Sequence, residues 1–176
     1  EIAEEFARTD PTPRVRAEAL RALQWGGASE ALARVLTAFD EEAFEAVLRD
    51  GVLDSVPVGL KARALATYER LLLKVENSLE RLRIRLAAAK AGGDPVLERV
   101  KEELTRWPPG RVADTGQWLL KSALELVRKT DPGWVSHWVA GRIVDGSLWG
   151  DHWTAFISSI PEALTQELLE RIGGED

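Results

Sequence analysis

The chain has 176 residues, 45% of them hydrophobic, which suffices for one ordinary core or for a string of stacked helices. Its net charge of −6 makes it a poor default binder of nucleic acid or anionic lipid, because phosphates repel it at long range. The absence of Cys removes disulfides, thiolate nucleophiles and Cys-based zinc sites and suits a reducing, cytoplasmic compartment.

Strand signals are almost absent, and helix punctuation recurs. Thr12-Pro13 places a hydroxyl before a Pro at the first helical position, and Asp94-Pro95 and Asp131-Pro132 repeat that logic with a carboxylate. Gly51, Gly146 and Gly173 each follow an apolar periodic run, where a left-handed C-terminal cap suits Gly. Between these marks the pattern predicts helices over 13–25, 28–38, 40–50, 57–90, 95–107, 114–130, 132–145, 149–159 and 161–172. The expectation is an all-α fold of about nine helices, stacked as antiparallel hairpins in a solenoid or an irregular bundle. It is a single domain over 1–176 with a pivot near 91–94. No apolar run approaches the ~18 residues of a spanning helix. The chain begins at Glu1 and contains no Met, so it is expected to be a segment of something longer or a processed product.

The segment 57–90 is predicted as one long helix. No Gly or Pro lies between Leu60 and Ala91, and Leu65, Tyr68, Leu72, Val75, Leu79, Leu82 and Leu86 recur every three or four residues. About 33 residues would make a rod of about 50 Å. A kink near Asn77-Ser78 is the alternative, since both are modest helix formers. Residues 60–90 carry eight basic and three acidic groups, a local +5 that leaves −11 for the remainder. Arg70, Lys74, Arg81 and Arg85 are therefore candidate docking residues for an acidic partner, against the alternative of a solvated face paired with acidic groups elsewhere in the chain.

The opening stretch DPTPRVRAEALRAL, residues 10–23, resembles one HEAT-type helical repeat: an Asp-led turn, then Val15-Arg16, then Ala19, Leu20, Ala22 and Leu23. Small Ala side chains let helices approach, while Val15, Leu20 and Leu23 fill the seam. The resemblance implies an α-solenoid and a scaffold or recognition role, with Arg16 pairing to acidic groups of an adjacent repeat. No clean period of about 40 residues accompanies it. From Trp134 onward, the run LWGDHW followed by Ser-Ile-Pro is similar to helical regions that follow the nucleotide-binding module of bacterial NACHT-type (STAND) signalling NTPases. That implies a sensor or regulatory segment of a larger NTPase. No G-x-x-x-x-G-K-[ST] occurs in this chain, so any NTPase activity would lie outside it.

Four of the seven Trp and both His fall in 133–156. Trp134/Trp138 and Trp149/Trp153 each repeat at i, i+4, the spacing of one helix face. The predicted helix 132–145 is apolar on nearly every side, so the four indoles are expected to form an aromatic core across a hairpin turning at Asp145-Gly146. Their N–H groups would be served near the turn by Asp145 or Ser147. An aromatic cage for a cation is the alternative. His137 and His152 lack ligand spacing, so neither a metal nor a cofactor is expected. The carboxylate pairs Glu4/Glu5, Glu41/Glu42 and Glu102/Glu103 fall on polar faces, and Ser136-His137 forms no nucleophile motif, so no catalytic residue is expected. The sequence favours a non-catalytic scaffold that binds a protein partner or other domains of its parent chain, without membrane contact. Two alternatives stay open: a nucleic-acid-associated domain using the basic 60–90 helix, and a compact ligand binder or enzyme with a pocket near Trp134–Trp153.

Overall fold

The computed structural model describes residues 2–92, 94–107 and 114–144, together with Leu148, Trp153, Phe156 and Gln166. The described residues form nine α-helices and one 3-10 turn, with no strand among them. These are α1 (Ile2–Thr9), α2 (Pro13–Trp25), α3 (Ser29–Ala38), α4 (Glu41–Arg49), the turn Val58–Leu60, α5 (Lys61–Lys74), α6 (Ser78–Gly92), α7 (Asp94–Thr105), α8 (Asp114–Arg128) and α9 (Pro132–Val144). No helix among the described residues is long and apolar enough to cross a membrane. The chain divides into two compact units, 1–96 and 97–176. The expected helices 149–159 and 161–172 lie outside the described residues, apart from Trp153, Phe156 and Gln166, which are helical.

In the first unit, helices adjacent in sequence pack on one another: α1 on α2, α2 on α3, α4 on α5 and α5 on α6, with α1 also touching α3. Short connections enforce this order. One continuous core runs through Leu20, Leu36, Phe44, Tyr68, Leu71 and Ile84. Burial pushes the Tyr68 phenol up to about 12, because the phenolate would be desolvated there. The sequence pattern does not predict α1. It is held by packing on α2 and by the Glu4–Arg34 pair to α3, whose guanidinium keeps the Glu4 carboxyl below its ordinary range.

Helix ends follow local chemistry. Gly51 takes φ +64 after α4; its N–H donates to the Leu48 carbonyl and that of Val52 to the Val47 carbonyl, as the sequence anticipates. Gly27, at φ +72, closes α2 in the same way. Asp131 caps α9 by accepting from the Trp134 N–H at 3.0 Å. Thr12 occupies the cap position of α2, but its hydroxyl makes no cap bond; Asp10 Oδ1 instead accepts the Thr12 N–H at 2.8 Å. In the same stretch, Leu20 and Leu23 are buried while Val15 is exposed rather than in the seam. Arg16 donates to the Asp10 carbonyl at 2.7 Å rather than to an acidic group of a neighbouring repeat.

The long helix expected over 57–90 is two helices. Val75 is extended (φ −116, ψ 123), and Asn77 Oδ1 accepts the Glu80 N–H at 3.1 Å, so Asn77 starts α6 as its cap. α6 folds back on α5. The apolar stripe crosses the break, and Leu79, next to the new start, is left exposed.

Candidate functional site

Between α4 and α5 lies an open groove of about 810 Å³ with small residues, Ala46 and Ala66, between charged walls. Glu41, Glu42, Glu45 and Arg49 come from α4, and Arg63, Arg70 and Lys74 from α5. The walls are cross-linked. Glu41 accepts from Arg63 at 2.9 Å and from Arg70 at 2.5 Å, and Glu45 accepts from Lys74 at 2.7 Å. Hydrogen bonds from the two guanidinium groups hold the Glu41 carboxyl below its ordinary range. Arg70 also donates to the Thr67 hydroxyl at 3.0 Å, and Arg63 lies 4.2 Å from the Phe44 ring centre.

Two of the four basic residues singled out by the sequence, Arg70 and Lys74, thus meet in this groove. The other two lie on α6. Arg81 donates to the Leu72 and Val75 carbonyls at 3.0 and 3.1 Å, closing the end of α5. Arg85, largely buried, donates to Glu69 at 2.9 Å.

Arg81 belongs to a repeated device. The last carbonyls of a helix have no partner inside it and carry the negative end of its dipole. Arg16 reaches the carbonyl just past α1, Arg63 those of Leu36 and Phe39 at the end of α3, and Arg83 that of Arg49 ending α4. In the second unit Arg142 donates to the Trp107 carbonyl and Trp138 Nε1 to the Leu104 carbonyl at 3.1 Å, closing α7. Much of the basic excess over 60–90 is therefore spent on helix ends and interhelical ion pairs. Lys61 and Lys90 from that segment stand exposed.

The aromatic pairs are placed as follows. Trp134 and Trp138 stack with ring centres 6.4 Å apart and planes at 23°. Lys101 lies 6.0 Å from the Trp134 ring and Arg142 lies 5.2 Å from that of Trp138. A cage for an external cation would compete with these two internal ones. Both indoles are half-buried, and α9 is not buried on every side: Gly133, His137 and Gly141 form an exposed stripe. Trp153 is buried, donates to Gln117 of α8 and meets Phe156 edge-on at 5.6 Å. The indole acceptors of Trp138 and Trp153 thus lie on α7 and α8, not at the hairpin turn. Trp149, His152 and Asp145 lie outside the described residues.

At the start of α9, Lys101 bridges Glu98 at 2.9 Å and Asp131 at 2.8 Å. The Lys101 ammonium, then the Trp134 N–H, hold the Asp131 carboxyl below its usual range, and Asp131 and Glu98 raise Lys101. Glu103, expected on a polar face, is buried. Among the described residues no three His, Cys, Asp or Glu come together as metal ligands would.

The sequence does not single out Arg63 or Lys101, nor pair them with Glu41, Glu98 and Asp131. Glu41 and Arg63 are 22 positions apart, and no local pattern announces such a pair. No family model, curated protein or solved structure matches this chain.

Proposed function

We propose that the chain is a non-catalytic helical scaffold or recognition segment of the HEAT-like kind. It works through protein–protein contact in the cytoplasm, as the sensor or regulatory part of a larger NACHT-type signalling NTPase. The observation that carries this reading is the disposition of charge in the first unit. Neighbouring helices pack in sequence order, as stacked repeats do. The charged groups that meet in the α4–α5 groove do so as ion pairs. An acid–base catalyst needs carboxyls in split environments within a cleft. A groove of paired, accessible charges is instead suited to exchanging partners with a protein surface, a role that steers and selects more than it binds tightly.

The test places a photo-crosslinking residue at Ala66, exposed within the groove, in the full-length chain that carries this segment in its native cell. The expected result is a reproducible protein adduct that Arg70→Glu with Lys74→Glu removes. No adduct, or an adduct indifferent to both reversals, overturns the proposal. Turnover of ATP by residues 1–176 alone does so as well.

A further inference from the structure

Trp25 ends α2 with 72% of its surface exposed, yet its orientation is fixed. Its indole N–H donates to Asp54 Oδ2 at 3.1 Å. Asp54 is itself held, its N–H donating to Gln24 Oε1 at 3.0 Å. The Gln24 amide then donates to the Ser55 carbonyl at 3.1 Å and hydroxyl at 3.0 Å. Four hydrogen bonds therefore clamp the connection after α4 to the last turn of α2 and present an indole face beside a carboxylate.

Elsewhere four aromatic rings take cations from the chain itself. Arg63 lies over Phe44, Lys101 near Trp134, Arg142 near Trp138 and Arg128 5.5 Å from Phe156. Among the described residues no cation covers Trp25, and none pairs with the Asp54 carboxylate. Three attractions for a positive charge converge there: the electron-rich ring face, the Asp54 carboxylate and the negative end of the α2 dipole. Trp118 provides the contrast, exposed at 69% but with no carboxylate bonded to its indole among the described residues.

We infer that Trp25 and Asp54 form a docking site for an arginine or lysine side chain of a basic segment in a protein partner. The guanidinium or ammonium lies over the indole and pairs with Asp54. Because the network holds the indole before binding, little side-chain freedom is lost on docking. The inference rests on the protein-binding role proposed above and names the chemistry of one partner segment.

The indole N–H resonance of Trp25, identified through Trp25→Phe, is followed by NMR as the chain is titrated with acetylated, amidated triarginine, and with triglutamate as control. The expected result is a saturable shift with triarginine, none with triglutamate, and little movement at Trp118. Asp54→Asn keeps an oxygen for the indole N–H and removes only the charge, so it should weaken binding about fivefold. Absence of a saturable shift, an equal response at Trp118, or unchanged affinity in Asp54→Asn overturns the inference. A shift that follows protein dilution without peptide also overturns it, by assigning this face to a second copy of the chain. Because the Trp25 resonance reads this site alone, its failure to shift would leave adducts at the α4–α5 groove untouched, and the two proposals fail separately.

Discussion

Arg63 and Glu41 meet at 2.9 Å across the α4–α5 groove, and the same guanidinium closes the end of α3 through the Leu36 and Phe39 carbonyls. One side chain thus joins the end of α3, the start of α4 and the start of α5. Arg63→Ala should destabilise the first unit by about 2–4 kcal/mol, since two helix-end carbonyls and the Phe44 contact lose their partner together. Arg63→Lys should recover only part of this, because an ammonium cannot present the planar fork. Urea unfolding followed by circular dichroism measures both; equal stability of the Lys variant and the native chain would contradict the account.

Trp138 tests the second unit. Its indole N–H serves the Leu104 carbonyl while its ring stacks on Trp134. Trp138→Phe keeps a ring and drops the hydrogen bond, and should cost about 1 kcal/mol. Trp138→Ala removes both and should cost about 3 kcal/mol, at the low end for a large aromatic because the ring is only half-buried. A neutral Ala variant would point to a surface role for the indole pair instead.

These two residues also show what could be read from the chain alone. The all-α class, and breaks at Gly51 and Asp131-Pro132, follow from local chemistry that needs no partner. The break inside 57–90 is different. Leu72, Val75 and Leu79 keep helical spacing across it, so the apolar pattern argues for continuity. Asn77 and Arg81 decide otherwise, by capturing the Glu80 N–H and the carbonyls of Leu72 and Val75. α1 is too short to announce itself by propensity, and packing on α2 makes it. Basic excess is visible in sequence, but its destination at helix ends is set by contacts such as Arg63 with Leu36, 27 residues apart.

Asp131 and Lys101 predict a pH dependence. The Asp131 carboxyl is lowered, so its contribution is present above the ordinary carboxylate range and lost as pH falls through the lowered folded value. Lys101 is raised, so its contribution is present below the ordinary lysine value and lost as pH rises through the raised folded value. The pair is whole between these limits. Asp131→Asn retains a cap acceptor for the Trp134 N–H, so it isolates the charge. It should cost less than about 1 kcal/mol at neutral pH, the partly exposed pair being screened. That difference should vanish toward strong acid. Paired urea titrations across pH measure it, and a constant difference would rule out the ion pair as its source.

Gly92 gives opposing forces whose sizes can be compared. It is the last residue of α6, where Ala would gain only a fraction of the roughly 1 kcal/mol it has over Gly in a helix interior. A Cβ there would lie 2.7 Å from Val96 Cγ2 and 3.0 Å from Leu65 Cδ2. The Leu65 methyl can swing aside, but the branched Val96 side chain has one stiff torsion and little freedom to yield. Overpacking of this kind costs about 1–3 kcal/mol, enough to outweigh the propensity gain. Gly92→Ala should therefore destabilise the chain modestly, although it removes a flexible residue from a place the sequence suggests as a pivot. Adding Val96→Ala supplies the missing space. The double variant should then lose less than the two single losses combined, a coupling that a thermodynamic cycle reads directly. Strict additivity would rule out this close approach as the source of the loss.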